Sequence, residues 1–258
     1  MSVKNRRQFI TLNAGLGYPQ CMQFVPMSPD FSDSAALGLF RWFQTPAGQA
    51  LLADERLAID PCLRALFAPL TVQISGAGSL LTQSKSAHRI WVVARESLGD
   101  RDTPALVARP SELPLASDSV DVVVLHHTLD VTRHPHSVLR EAIRVLRPGG
   151  TVLIIGFDPL GPLRWSKAPL GRRVWPALGI SSKRLSDWLG LLNCPPQRVE
   201  RLGYPDVAGW LAKRQWWGNT CTLVVARKQR VIPPRALRQR LRGRLAQIKP
   251  QAASAKTG

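Results

Sequence analysis

Residues 111–155, SELPLASDSVDVVVLHHTLDVTRHPHSVLREAIRVLRPGGTVLII, contain two apolar runs separated by an amphipathic segment. The runs at 122–125 and 151–155 are typical of strands that are buried on both faces. Between them, Pro135 can occupy a first helical position, and Pro148-Gly149-Gly150 is predicted to stop the helix. The apolar residues at helical spacing are Val138, Leu139, Ala142, Ile143 and Leu146. The stretch therefore predicts a strand, a helix and a second parallel strand, the unit of an open parallel sheet.

The same stretch resembles the C-terminal half of class I S-adenosylmethionine-dependent methyltransferases, specifically the methyltransferase type 11 group. Those proteins carry an acidic-Leu-Pro-apolar element, which Glu112-Leu113-Pro114-Leu115 matches, and a helix that ends in Arg-Val-Leu-Arg-Pro-Gly-Gly, which residues 144–150 match. The resemblance covers residues 109–157, and residues 156–159 with the basic tail are similar to a bacterial subgroup of YafS-type proteins. It implies a methyltransferase that uses S-adenosyl-L-methionine and whose methyl acceptor is unknown.

The predicted fold class is α/β: a doubly wound, mostly parallel, seven-stranded Rossmann-like methyltransferase sheet with N-terminal helices and a C-terminal antiparallel strand. Thr45-Pro46 predicts the N-cap and first residue of one helix, and Asp60-Pro61 predicts the start of another. Ser75-Gly76-Ala77-Gly78 is expected to turn from the first strand into a further helix. The remaining elements are strands predicted at 71–74, 90–94, 106–108, 197–202 and 221–226 and a helix at 182–192.

Three parts of the chain are expected: a disordered extension at 1–33, a methyltransferase-like domain at 34–228 and a basic disordered tail at 229–258. Asn5-Arg6-Arg7-Gln8 resembles a twin-arginine export signal, but the residues that follow are too short and too polar a run for its apolar region. An alternative is that translation begins at Met22 or Met27. We expect a cytoplasmic protein.

The formal net charge is +18, with a pI of about 11.2, which suggests an anionic partner such as RNA or an acidic surface. Residues 227–258 contain lysines and arginines but no acidic residue. This tail either anchors the protein to phosphates or only keeps it in solution. No apolar run approaches the roughly 20 residues that a membrane-spanning helix needs.

The four cysteines, Cys21, Cys62, Cys194 and Cys221, are far apart and form no Cys-x-x-Cys pair. We interpret them as free thiols of a reducing compartment, and no metal site is predicted.

The cofactor is expected at the carboxyl ends of the parallel strands, where ligands of open α/β sheets bind. At the first strand the glycine pattern is degraded, since the acidic residue and the third glycine of the family are missing. At the third strand Arg109 stands where the family has an aspartate. The candidate cofactor-binding residues are Ser75, Gly76, Gly78, Glu96, Glu112, Leu113 and His126.

His127 is the candidate catalytic residue, because it matches a common histidine of the family at the end of strand four. An imidazole there could act as a base near neutral pH, although many such histidines are structural. Neighbouring strand residues point to opposite faces, which argues against a metal shared by His126 and His127. Two functions follow: a methyltransferase of unknown acceptor, or an inactive methyltransferase fold that binds RNA or another anionic partner.

Overall fold

The computed structural model describes residues 33–66, 68–75, 78–81, 86–93, 105–159, 161, 179–203 and 220–230. In chain order, its elements are α1 (Asp33–Phe43), α2 (Pro46–Ala65), β1 (Leu70–Ser75), β2 (His88–Val93), β3 (Ala105–Val107), β4 (Val120–His126), α3 (Thr128–Val131), α4 (Pro135–Val145), β5 (Leu146–Phe157), α5 (Ser182–Leu191), β6 (Pro196–Leu202) and β7 (Cys221–Arg227).

The seven described strands form one sheet in the order β3-β2-β1-β4-β5-β7-β6. Strands β1 to β5 pair in parallel, whereas β7 runs antiparallel to both β5 and β6. The predicted fold class is therefore confirmed. From β1 the sheet extends through β2 and β3 on one side, and β4 lies on the other side. The chain thus reverses its direction of winding between β1 and β4, and a crevice at the carboxyl ends of these two strands is where ligands bind in such sheets.

The central strand β4 is buried along its whole length because helices cover both faces of the sheet. Val122 and Val124 pack in the apolar cluster that includes α1 and α2. Val123 and Leu125 point the other way and pack with residues of α4 and α5. This explains why residues 122–125 form a continuous apolar run rather than an alternating one.

Helix α2 starts as the sequence predicts but ends later. Thr45 is its N-cap, and its Oγ1 accepts a hydrogen bond of 3.2 Å from the amide of Gly48. The prediction of a second helix at Asp60-Pro61 is wrong, because α2 continues through Pro61. An internal proline costs about 3 kcal/mol. Ile59 and Leu63 are both buried in the core on either side of Pro61, and an unbroken helix is what places them there.

Two other boundaries differ from the prediction. In the connection from β1 to β2, the described residues 78–81 and 86–87 contain no α-helix, and the rest of the segment where the helix is predicted lies outside the described residues. Helix α4 ends at Val145, earlier than Pro148-Gly149-Gly150 suggests, because Leu146 already pairs with Val120 as part of β5. Gly149, at φ +85° within β5, lies where the register between β4 and β5 shifts, between the pairs Val120–Leu146 and Val122–Thr151.

The corner between α1 and α2 gives the first testable prediction. A Cβ on Gly48 would overlap the carbonyl oxygen of Trp42 and lie 2.5 Å from the Cα of Phe43, whereas a Cβ on Gly190, also helical, would have no heavy atom within 4 Å. We expect Gly48→Ala to lower the free energy of unfolding by about 1–3 kcal/mol, because the backbone must shift. Gly190→Ala should leave it unchanged or raise it by up to about 1 kcal/mol. Urea denaturation measures both; equal stability of Gly48→Ala and the parent would contradict the packing of this corner.

Candidate functional site

The carboxyl ends of β1 and β4 carry a group of buried polar side chains. Ser75 ends β1 and pairs in register with His126, which ends β4. Six of these residues, each at most 3% exposed, form what we call the polar cluster: Glu55, Ser75, His126, His127, Asp130 and Cys221. Because water does not reach them, their polar atoms must satisfy one another.

The two adjacent histidines of the polar cluster point to the same side. His127 follows the last residue of β4 and has φ 51°, in the left-handed region. This conformation breaks the alternation of the strand, so the two imidazole rings lie with centroids 4.8 Å apart. The expectation that His126 and His127 face opposite sides of the sheet is therefore wrong. It no longer argues against a metal ion bound near both histidines.

The carboxylate of Glu55, on α2, is the common partner of both imidazoles. Its Oε2 accepts from His126 Nε2 at 2.9 Å, and its Oε1 accepts from His127 Nε2 at 2.8 Å. The thiol of Cys221 donates to the same Oε1 at 3.4 Å. Potential metal-binding atoms of Glu55, His127 and Cys221 lie within 4.8 Å of one another. An oxygen, a nitrogen and a sulfur therefore meet at one buried point.

The second ring nitrogen of each histidine also has a partner. His127 Nδ1 lies 2.8 Å from Asp130 Oδ2, and His126 Nδ1 lies 3.0 Å from the hydroxyl of Ser75. Asp130 Oδ2 also accepts from the backbone amide of Phe157 at 3.0 Å, and the Phe157 ring lies against that of His127 with centroids 4.1 Å apart. Each imidazole is thus held on both sides.

The arrangement separates the charge states of the two histidines. For His127, burial would lower the pKa, but Glu55 and Asp130 outweigh it and raise the pKa to about 9. For His126, burial outweighs the attraction of Glu55, and the pKa is lowered. Burial would raise the pKa of Glu55, but the two imidazoles lower it to about 2. At neutral pH, His127 is an imidazolium held between carboxylates, and His126 is neutral.

This geometry does not favour His127 as a base. A base near neutral pH needs a free nitrogen within reach of the acceptor. His127 is protonated, fully buried and bonded through both nitrogens. The contacts favour a role in which its positive charge holds Glu55 in place.

Sequence reasoning missed Glu55, although a signal was present. The buried face of α2 includes Leu51, Leu52, Ile59 and Leu63, and Glu55 occupies the position between them at helical spacing. A carboxylate on the apolar face of a helix is almost never fully buried unless it is paired. That pattern predicts a buried cationic partner, although it cannot say which residue the partner is.

The other predicted cofactor-binding residues are divided between several places. Gly76 and Glu96 lie outside the described residues. The exposed carboxylate of Glu112 forms an ion pair of 3.0 Å with Arg109 Nη1. Leu113 is buried in the apolar cluster on the α4 side of the sheet. Neither Glu112 nor Leu113 joins the polar cluster.

Gly78 lies at the edge of the polar cluster and packs on α2. Its carbonyl oxygen accepts from Gln73 Nε2 at 2.5 Å, and Gln73 Oε1 accepts from the amide of Leu80 at 2.8 Å. With φ +143°, a Cβ at this position would lie 3.1 Å from Leu52 Cδ2. The backbone conformation and the packing against Leu52 therefore require a glycine at this position, independently of any cofactor.

The sequence matches a known protein family and a curated relative, each over part of its length. Residues 81–154 match the family model Methyltransf_11, described as a methyltransferase domain. The uncharacterized protein YafS of Escherichia coli strain K12 is 35% identical over 132 residues, which are 49% of this chain and 55% of YafS. The chain therefore matches about half the length of this curated relative. The resemblance to methyltransferases of this type is confirmed for the matched region.

Solved structures show the same fold at low identity. A SAM-dependent methyltransferase of Thermotoga maritima superposes with a TM-score of 0.54 at 17% identity, covering 73% of this chain and 93% of that chain. A SAM-dependent methyltransferase of Aquifex aeolicus gives a TM-score of 0.52 at 17% identity, covering 73% and 96%. The fold of this chain is thus similar to that of these two methyltransferases.

The charge on His127 predicts how the free energy of unfolding depends on pH in protein treated with a chelator to remove any metal ion. Because its pKa is raised from 6.5 to about 9, its contribution to stability is complete below pH 6.5 and is lost as the pH rises through 9. We expect the free energy of unfolding, measured by urea denaturation between these values, to decline more steeply in the parent than in His127→Asn. The exposed His136 serves as control, and His136→Asn should keep the decline. Parallel profiles for parent and His127→Asn would show that His127 is not charged in the fold.

Proposed function

We propose that this protein is an S-adenosylmethionine-dependent methyltransferase of unknown acceptor. The observation that carries the proposal is where the family match falls on the fold. Residues 81–154 include β2, β3 and β4 and most of β5, and with them the carboxyl end of β4 beside β1. That end is the ligand-binding crevice of an open α/β sheet. When bound, the cofactor supplies a methyl group made electrophilic by its positively charged sulfur.

Three described polar side chains proposed for the cofactor already have partners within the chain. Ser75 contacts His126, which also binds Glu55, and Glu112 pairs with Arg109. The other proposed contacts are Gly76, Gly78, Glu96 and Leu113. Contacts to a cofactor through the side chains of Ser75, Glu112 or His126 would replace bonds that the fold makes now.

Arg109 fits the adenine end of the cofactor better than a surface residue would. Its Nη1 is paired with Glu112, but its Nη2 is buried and has no hydrogen-bond partner within the described ranges. A buried donor without a partner is costly unless a ligand or water satisfies it. Adenine ring nitrogens are acceptors, so Arg109 Nη2 would donate to the base where the family's aspartate accepts from its amino group.

Methyl transfer requires mainly that donor and acceptor be held in line, and a base only where the acceptor must lose a proton. The Glu55 contacts hold α2 across the ends of β1 and β4, the edge of the sheet to which the proposal assigns the cofactor. In this proposal His127 is a positioning residue.

Calorimetric titration with S-adenosylmethionine and S-adenosylhomocysteine tests the proposal. We expect binding by the parent and roughly 10-fold or weaker affinity for Arg109→Leu, because a hydrogen bond from a charged donor is lost. Arg133→Leu changes an exposed arginine and should bind like the parent. No binding of either compound by the parent would overturn the proposed function. Gly78→Val is unsuitable as a test, because it would strain the backbone and push against Leu52 even without a cofactor.

A basic cleft supports a second candidate function, the binding of RNA by this fold. The cleft has a volume of about 1080 Å³ and is lined by Arg147, Pro148, Gly149, Pro195, Gln197, Arg227, Lys228, Gln229 and Arg230. It lies where β5 begins and β7 ends, away from the polar cluster, and the chain continues from it into the basic residues 231–258.

In the described part of the chain, no helix has the length and apolar character needed to cross a membrane.

A truncation after Arg230 tests this second candidate. Lys228 must be kept, since its Nζ binds the carbonyl oxygens of Ile143 and Leu146 at 2.7 and 2.6 Å. We expect the truncated chain to bind RNA more weakly and with a shallower salt dependence, because fewer counterions are released. Binding isotherms at a series of salt concentrations measure the slope. An unchanged slope would mean that residues 231–258 take no part in binding.

A further inference from the structure

Glu55, His127 and Cys221 bring together three atoms of the kinds that bind zinc. Carboxylate oxygen, imidazole nitrogen and thiolate sulfur bind Zn²⁺ at about 2.0–2.3 Å, which places ligand atoms about 3.3–3.8 Å apart in a tetrahedral site. The three atoms of this group lie within 4.8 Å of one another. The 2.8 Å separation of Glu55 Oε1 and His127 Nε2 must widen by about 0.5 Å, a side-chain adjustment.

The surroundings already hold these ligands in the way that metal sites require. A metal-binding histidine usually donates its other ring N–H to a carboxylate, and His127 Nδ1 lies 2.8 Å from Asp130 Oδ2. The second oxygen of Glu55 is held by His126 Nε2 at 2.9 Å. The outer hydrogen bonds of two ligands are thus in place.

Metal binding at this point would exchange protons for the ion. Each ring nitrogen of His127 lies 2.8 Å from a carboxylate oxygen, so Nε2 carries a proton, and the Cys221 thiol donates its proton to Glu55 Oε1. One Zn²⁺ would replace the Nε2 proton of His127 and the Sγ proton of Cys221, and both protons would pass to the buffer. The net charge of the polar cluster stays the same, so the ion adds no unpaired charge to the interior.

We propose that Glu55 Oε1, His127 Nε2 and Cys221 Sγ form a zinc-binding site at the carboxyl end of β4. Three protein ligands leave one position of a tetrahedral zinc ion for a further ligand. A mixed set of oxygen, nitrogen and sulfur suits Zn²⁺ better than Mg²⁺ or Ca²⁺, which prefer oxygen ligands. The site goes beyond the proposed methyl transfer and does not depend on cofactor binding.

Titration of the full-length, chelator-treated protein with zinc chloride tests the site. We expect one tightly bound Zn²⁺ per chain and the release of two protons, measured by calorimetry in buffers of different ionisation enthalpy. Cobalt(II) chloride should give a thiolate-to-metal charge-transfer absorption, which reports the sulfur ligand directly in the parent protein. Absence of zinc binding, or cobalt binding without this absorption, would overturn the proposal.

Matched variants identify the ligands. Cys221→Ser and Glu55→Gln should weaken zinc binding more than about 100-fold, and Asp130→Asn about 10- to 100-fold, because it removes only an outer hydrogen bond. The control is Cys194→Ser, which changes another buried thiol in the apolar cluster on the opposite face of the sheet and should bind zinc like the parent. Circular dichroism confirms folding of each variant. Equal zinc affinity in folded Cys221→Ser and Cys194→Ser would rule out this site. Should Cys221→Ser not fold, the cobalt absorption is measured in Cys21→Ser, Cys62→Ser and Cys194→Ser: its persistence in all three identifies Cys221 as the sulfur ligand, and its loss in any of them overturns the proposal.

Discussion

The carboxylate of Glu55 is the interaction on which the described structure most depends. It lies fully buried on α2 and contacts two imidazoles at the end of β4 and a thiol at the start of β7. An isolated buried carboxylate would cost several kcal/mol, and removing one partner of a buried pair costs about 3–5 kcal/mol. The contacts therefore do more than add stability: they determine where α2 lies on the sheet. Through the tight corner at Gly48, they also determine where α1 lies.

The left-handed conformation of His127 makes this arrangement possible. It turns the imidazole to the same side as that of His126, so that one carboxylate serves both. Asp130 then completes the hydrogen bonds of His127 and also binds the backbone of β5 at Phe157. The result is a cation held between carboxylates, which suits the fixing of helices and strands better than the transfer of a proton. The same contacts give Glu55 and His127 the outer hydrogen bonds, from His126 and to Asp130, that metal ligands usually have.

The two candidate functions use different ends of the sheet. The cofactor would bind at the carboxyl ends of β1 to β4, where the polar cluster and Arg109 lie. The basic cleft lies near the start of β5, where Lys228 holds the end of α4 and the chain enters its cationic C-terminal residues. Because the sites do not overlap, a methyltransferase of this fold could also hold a phosphate-rich partner. The net charge of +18 favours such a partner. The attraction is strongest at low ionic strength, where salt screens the charges least.

The sequence by itself determined the elements whose causes are local. The apolar run of β4, the amphipathic pattern of α4 and the Thr45 cap of α2 each follow from residues a few positions apart, and the family resemblance supplied the mostly parallel, seven-stranded sheet. Tertiary structure alone decided that α2 passes through Pro61, since burial of Ile59 and Leu63 must outweigh the cost of the proline. It also decided that Glu55 and His127, separated by 72 positions, share a hydrogen bond. Local periodicity carries no information on such a contact, because it depends on the folded backbone and on a single left-handed residue that reverses the direction of a side chain.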